Sequence, residues 1–356
     1  MATDDLLSAA RRLAHWFPAD VRAEDRGVAD GEAAALWPVS ADFSFAGATG
    51  WLNSPPLTGA DLRGRVVLVD FWTYTCINWL RSWPWIRAWQ RSYGGSGLVT
   101  IGVHSPEFTF EHDVDDVRDA VRARGIGHPV ALDNHVTVWR SFANHFWPAT
   151  YLVDADGRLR HHSFGEGGYE ETESVLRRLL TEAGAADLPP EPVPVEARGV
   201  EVAADWDTLR SGETHLGYDR TAGFASSPAV VPGRPYDYTA PARLRLGHWA
   251  LSGTWTIGSE VAASHGAGGR LVCHSWSRDV HLVVAPEGPG GVRFRVLLDG
   301  RPAGSDAGVD VDEDGHGTVL EPRTYNLIRR HGPGTGGTVE VEFLDPGARV
   351  HVLTFG

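Results

Sequence analysis

Residues Val66 to Trp79 read VVLVDFWTYTCINW. The near-continuous β-branched and aromatic run Val66 to Trp72 predicts a strand buried on both faces, and the segment after it predicts a helix opening at Cys76. A cysteine at the start of a helix meets unpaired backbone N–H groups and the positive end of the dipole, both of which favour a thiolate. A lowered thiol pKa is therefore the expectation for Cys76. A redox dithiol would place a second cysteine three residues on, one helical turn away, but that position holds Trp79. The segment has the setting of a disulfide enzyme with half its chemistry.

Strands and helices alternate on both sides of this stretch. GLVTIGVH predicts a strand, VDDVRDAVRARG a helix, PVALD a short strand and TVWRSFANHF a helix. ATYLVDADGRLRHHSFG predicts two strands about the Asp156-Gly157 turn, and ETESVLRRLLTEAG a closing helix. Such alternation closed by a hairpin implies an α/β layer structure with a mixed sheet over residues 41–186. Residues 187–205, with Pro189, Pro190, Pro192 and Pro194, read as a stiff, extended linker. Beyond it, residues 206–356 predict short alternating strands broken by Gly/Pro turns, an all-β, jelly-roll-like sandwich. Residues 1–40 form an N-terminal arm in which apolar positions from Asp4 to Trp16 recur at helical spacing.

Composition narrows the function classes. The 356-residue chain has a formal net charge of −14, and all 32 of its basic residues are arginine. Absence of lysine excludes Schiff-base and lysine general-base chemistry. Without clustered basic residues, neither nucleic acid nor an anionic membrane is expected as a partner. The acidic N-terminus has no apolar run of signal-peptide type, so a cytoplasmic address is expected. Cys76 and Cys273, nearly two hundred positions apart, fit a reducing compartment better than a disulfide framework. Cys273, on a sandwich strand, is expected to be inert.

Several separated positions carry a resemblance to the thioredoxin-like family of TlpA and redoxin type. Within it the chain looks like the soluble C-terminal part of the DipZ proteins, a thioredoxin domain followed by a carbohydrate-binding-module-like sandwich. FWTYTCINW resembles the active-site motif, with Cys76 as nucleophile. Asp70 occupies the place of the family's buried, proton-relaying acid, and Pro84 that of its helix kink. Trp147-Pro148 matches the cis-proline that lies beside the nucleophile and presents backbone to an extended substrate. FGEGGYE, Phe164 to Glu170, also matches the DipZ pattern. The resemblance runs from about Ala41 to the C-terminus. It implies a thiol oxidoreductase that needs no cofactor and acts on a protein or low-molecular-weight thiol or disulfide.

Trp79 in place of the resolving cysteine leaves three mechanisms. Cys76 acts as a monothiol through mixed disulfides; or it reacts with peroxide to give a sulfenic acid; or the domain is a catalytically silent scaffold. Thr73 matches one element of the peroxiredoxin motif, while Val69 stands where that motif has proline. Trp79, sharing a helical face with Cys76, either shields the sulfur or offers an aromatic platform to substrate.

Asp310, Asp312, Asp314, Gly315 and Glu321 satisfy the spacing of a calcium loop, but their flanks predict strands, which favours a solvated acidic hairpin. The adjacent His161-His162 would point to opposite strand faces, so no metal site is assigned. Trp249, Trp255, Trp276 and Tyr325 are candidates for stacking on a glycan, although alternating strand positions favour core roles.

Overall fold

The computed structural model describes residues 44–356, so the arm expected over residues 1–40 lies outside the described residues. The chain divides into two compact units between Glu201 and Val202.

In the first unit the elements are β1 (Gly50–Leu52), β2 (Val66–Trp72), α1 (Ile77–Tyr93), β3 (Leu98–His104) and α2 (Val114–Ala123). They continue with β4 (Val130–Leu132), α3 (Thr137–Ser141), β5 (Ala149–Val153), β6 (Leu159–Phe164) and α4 (Tyr169–Glu182). The sheet runs β1-β4-β3-β2-β5-β6, with β2, β3 and β4 parallel and the remaining pairs antiparallel.

Every residue of β2 is buried, and its pleat divides them between two cores. Val66, Leu68 and Trp72 pack with α1, α2 and α4, whereas Val67, Val69 and Phe71 pack with Phe142, Tyr151 and the residues around α3. By the same alternation Asp70 points beneath α1.

Two elements differ from the expectation. The helix predicted from TVWRSFANHF ends at Ser141, because Asn144 captures the following backbone: its Nδ2 donates to the Phe146 carbonyl and its Oδ1 accepts from the Phe146 N–H. Pro148 disfavours a helical Trp147 as well. β1, three residues amid Gly, Ser and Pro, has no periodic signal and exists through its pairing with β4.

The proline-rich stretch, residues 187–198, carries no helix or strand, and residues 187–201 belong to the first unit. The Val193 N–H donates to Glu173 Oε1 at 2.9 Å, and Arg177 reaches the carbonyl of Glu191. Arg87 binds the Glu196 carbonyl at 3.0 Å and Glu201 at 2.9 Å. The seam between Glu201 and Val202 falls inside the 187–205 stretch read as the linker.

The second unit is all β: β7 (Thr214–His215), β8 (Pro235–Tyr238), β9 (Trp249–Ile257), β10 (Ala262–Ser264), β11 (Gly269–Ser277) and β12 (Asp279–Pro286). It ends with β13 (Val292–Leu298), β14 (Arg301–Pro302), β15 (His316–Val319), β16 (Arg323–Arg329), β17 (Thr335–Phe343) and β18 (Ala348–Phe355). Antiparallel pairing follows β14-β13-β17-β11-β9-β10-β18-β12-β16, and the path folds over at β9 and β10 to make a sandwich. Alternate residues of both layers, including Leu271, Val296, Val341, Leu282 and Leu353, fill one core.

Glu173 is the most exacting of the contacts that hold the proline-rich stretch, because its buried carboxylate also accepts from the Tyr93 hydroxyl at 2.6 Å. Glu173→Ala leaves two buried donors without it. The expected loss is about 1–3 kcal/mol in a denaturant melt, with faster proteolysis within residues 187–201.

Candidate active site

β2 delivers the chain through Thr73-Tyr74-Thr75 to Cys76, which caps α1 in an extended conformation with φ −69° and ψ 111°. The Cys76 side chain is partly exposed, and its thiol donates to the Trp147 carbonyl at 3.8 Å. The Trp147-Pro148 peptide is cis, as expected. The Trp147 indole donates to the Ser105 carbonyl at 2.9 Å and packs on Trp139 with ring centroids 4.2 Å apart. Segments far apart in sequence, β2–α1 and the start of β5, therefore converge on the sulfur.

Trp79 is not at the surface. It is 1% exposed, stacked between Trp72 and Trp83 at 4.4 and 5.6 Å. A platform for substrate is thereby ruled out for this side chain, which corrects the expectation. The physical reason is its indole N–H: once buried it requires an acceptor, and Asp70 Oδ2 supplies one at 2.9 Å. Asp70 is likewise 1% exposed, and its Oδ1 has no hydrogen-bond partner. Burial raises its pKa to about 7, opposed by the Trp79 hydrogen bond. The acid is thus engaged by the residue that replaces the second cysteine.

Thr73 and Thr75 point into a buried polar cluster. Thr75 Oγ1 donates to Glu111 at 2.5 Å, and the N–H groups of Glu107 and Phe108 donate to the same carboxyl at 2.7 and 3.0 Å. Burial raises the Glu111 pKa, with Thr73 and Thr75 as the leading opposing contacts. Thr73 Oγ1 lies 3.4 Å from His104 Nε2, and burial lowers His104 to about 3, so this imidazole is neutral. The Thr73 hydroxyl is committed to this cluster, which weakens its expected role in peroxide chemistry. The cluster fixes the turn that presents Cys76.

A second buried pair borders the site. Arg81 on α1 meets Glu166 at 3.3 Å, with side chains 1% and 6% exposed. Burial raises Glu166 to about 7, against the pull of Arg81. Sequence reasoning noted the glycine pattern around Glu166 without assigning the acid a role, and it missed Glu111, which lies in no motif. An arginine amid the apolar positions of α1 was the available signal for the first.

In the second unit Trp249, Trp255 and Tyr325 are core residues, at most 1% exposed. Trp276 is partly exposed and is covered by the Arg210 guanidinium at 5.1 Å. The glycan-stacking expectation thus loses three of its four aromatics. The acidic loop is engaged by protein groups: Asp310 and Glu321 both bind Arg323, at 2.8 and 3.3 Å, and Asp312 accepts from the His316 N–H. Cys273 is buried, and burial pushes its thiol up to about 12.

Residues 211–356 match the family model of the thioredoxin-like C-terminal domain. Protein DipZ of Mycobacterium tuberculosis is 37% identical over 261 residues, 72% of this chain and 36% of that protein. The chain is thioredoxin-like and resembles DipZ. It spans little more than a third of its DipZ relative's length. The thiol-disulfide oxidoreductase YkuV of Bacillus subtilis is 25% identical over 136 residues, covering 38% of this chain and 91% of that one. A solved thioredoxin-like protein in its oxidized form is 27% identical, covering 38% of this chain and 91% of that one, with a TM-score of 0.36.

Asp70 generates a stability prediction. Its folded pKa of about 7 lies above the ordinary carboxylate value of 3.8, so between these pH values the folded state holds a proton that the unfolded state releases. Its contribution to stability falls as pH rises through that window. Asp70→Asn, which keeps an acceptor for Trp79, removes this dependence. Its gain over the parent is expected to be larger at pH 8 than at pH 4, by on the order of a few kcal/mol, in melts at both pH values.

Proposed function

We propose that this protein is a single-cysteine thiol oxidoreductase that exchanges disulfides with a protein or low-molecular-weight partner. The observation that carries the reading is the half-buried Cys76 sulfur at the head of α1, 3.8 Å from the Trp147 carbonyl. The resemblance to DipZ and to YkuV, a thiol-disulfide oxidoreductase by name, supports it.

In the first step the Cys76 thiolate attacks one sulfur of a disulfide. A Cys76–substrate disulfide forms, the substrate S–S bond breaks, and the other half leaves as thiolate. A dithiol enzyme would resolve this species from within, but Trp79 is fixed in the core and Cys273 is a buried, high-pKa thiol. An external thiolate therefore attacks the substrate sulfur, forms a new disulfide with it and releases Cys76 as thiolate. Electrons balance, because the external thiol is oxidised by the amount the substrate is reduced.

The disulfide route is preferred to sulfenic-acid chemistry because the Thr73 hydroxyl serves His104 and Glu111. A cytoplasmic setting suits this reading, since both cysteines are free thiols and an external reductant is needed.

The test is alkylation of Cys76 against pH, followed by incubation with oxidised glutathione and intact-mass analysis. The reading expects a reaction midpoint below the free-cysteine value of about 8.5 and one glutathione per chain, absent in Cys76→Ser and removed by added thiol. Labelling that requires denaturant, with no adduct, would overturn it in favour of a catalytically silent binding scaffold.

A further inference from the structure

Resting on the reading of Cys76 as nucleophile, the geometry points to Glu166 as a positioning residue, which with Arg81 sets how the Trp147-Pro148 segment faces the sulfur. Glu166 touches neither Cys76 nor Trp147 by any hydrogen bond in the structure. Its influence runs through backbone.

The connection is short. Arg81 stands on α1 five residues after Cys76 and binds Glu166 at 3.3 Å. Next to Glu166, the Gly165 N–H donates to the Pro148 carbonyl at 2.8 Å. Pro148 follows Trp147, whose carbonyl accepts from the Cys76 thiol at 3.8 Å. Both ends of this path lie on Cys76 and its helix, so the loop after β6 clamps the Trp147 segment to the element that carries the nucleophile.

The loop is built for a fixed shape. Gly165, Gly167 and Gly168 have φ of 72°, 100° and 65°, the left-handed region that glycine enters without steric cost. Two further contacts seat its far end on α1: the Tyr169 hydroxyl lies 2.9 Å from Ser82 Oγ, and the Tyr169 ring stacks on Trp85 at 4.6 Å. Within this seat an ion pair is a costly choice. A buried pair typically contributes no more stability than apolar side chains of equal volume, so its directional geometry is the more economical account of its presence.

A clamp on the Trp147 segment governs partners that lie along that backbone, and leaves the sulfur's intrinsic chemistry alone. A small alkylating agent needs only the thiolate; a peptide disulfide also needs the segment. The two probes therefore separate positioning from general damage.

The experiment measures, for the full chain, the rate of iodoacetamide alkylation and the rate of mixed-disulfide formation with a short cystine-bridged peptide. In Glu166→Gln the peptide rate is expected to fall about tenfold while alkylation stays within about twofold. Arg81→Lys, which keeps a cation opposite Glu166, should fall less than Arg81→Met. Gly167→Ala, which forces an L side chain into a left-handed position while retaining the ion pair, should reproduce the Glu166→Gln signature. An unchanged peptide rate in folded Glu166→Gln and Gly167→Ala would overturn the proposal, as would parallel losses with both probes. Failure of the parent protein to join the peptide at all would instead remove the reading of Cys76 on which it rests.

Discussion

A carboxyl group buried under a helix must find a donor, and in this protein the donor is Trp79. The pleat of β2 turns Asp70 inward, into the core shared with α1. The indole N–H three residues beyond Cys76 reaches it at 2.9 Å. That hydrogen bond and the stacking on Trp72 and Trp83 together hold the Trp79 ring in the core. Trp79, one helical turn after Cys76, is thereby part of the core.

The sulfur itself remains partly exposed. Cys76 is held from behind by a turn whose threonines lean on Glu111 and His104, and from the front by the Trp147 carbonyl. Both supports come from elements remote in sequence, which is how a partly exposed sulfur acquires a defined direction. The buried acids around it, Asp70, Glu111 and Glu166, are all shifted upward by desolvation. Such a surround is one in which a small change in hydrogen bonding alters where protons reside.

Much of this was legible in the sequence because strong local signals agree there. The β-branched run of β2, the helical spacing of α1 and the alternating strands of the second unit each follow from periodicity. Cys76 was found from its strand–turn–helix setting, whereas Asp70, Trp147 and Pro148 were found through the resemblance to the thioredoxin-like motifs. Orientation was less accessible. That Trp79 faces the core depends on where the β2 pleat puts Asp70, and spacing along α1 alone leaves both readings of the indole open. Glu111 was out of reach, since Thr75 is brought to it across 36 residues by the fold, and the local cap it makes with Phe108 lacks the Ser or Thr that would signal it.

The proline-rich stretch has a consequence for how such chains are assembled over evolutionary time. Glu173, Arg177 and Arg87 bind its backbone, so residues 187–201 are a part of the first fold that merely resembles a spacer. A gene fusion that exchanged the sandwich for another module at the apparent proline boundary would strip a buried partner from Glu173 on α4 and an exposed one from Arg87 on α1. Only a crossover beyond codon 201 passes on an intact unit, which restricts where recombination in this lineage yields a viable product.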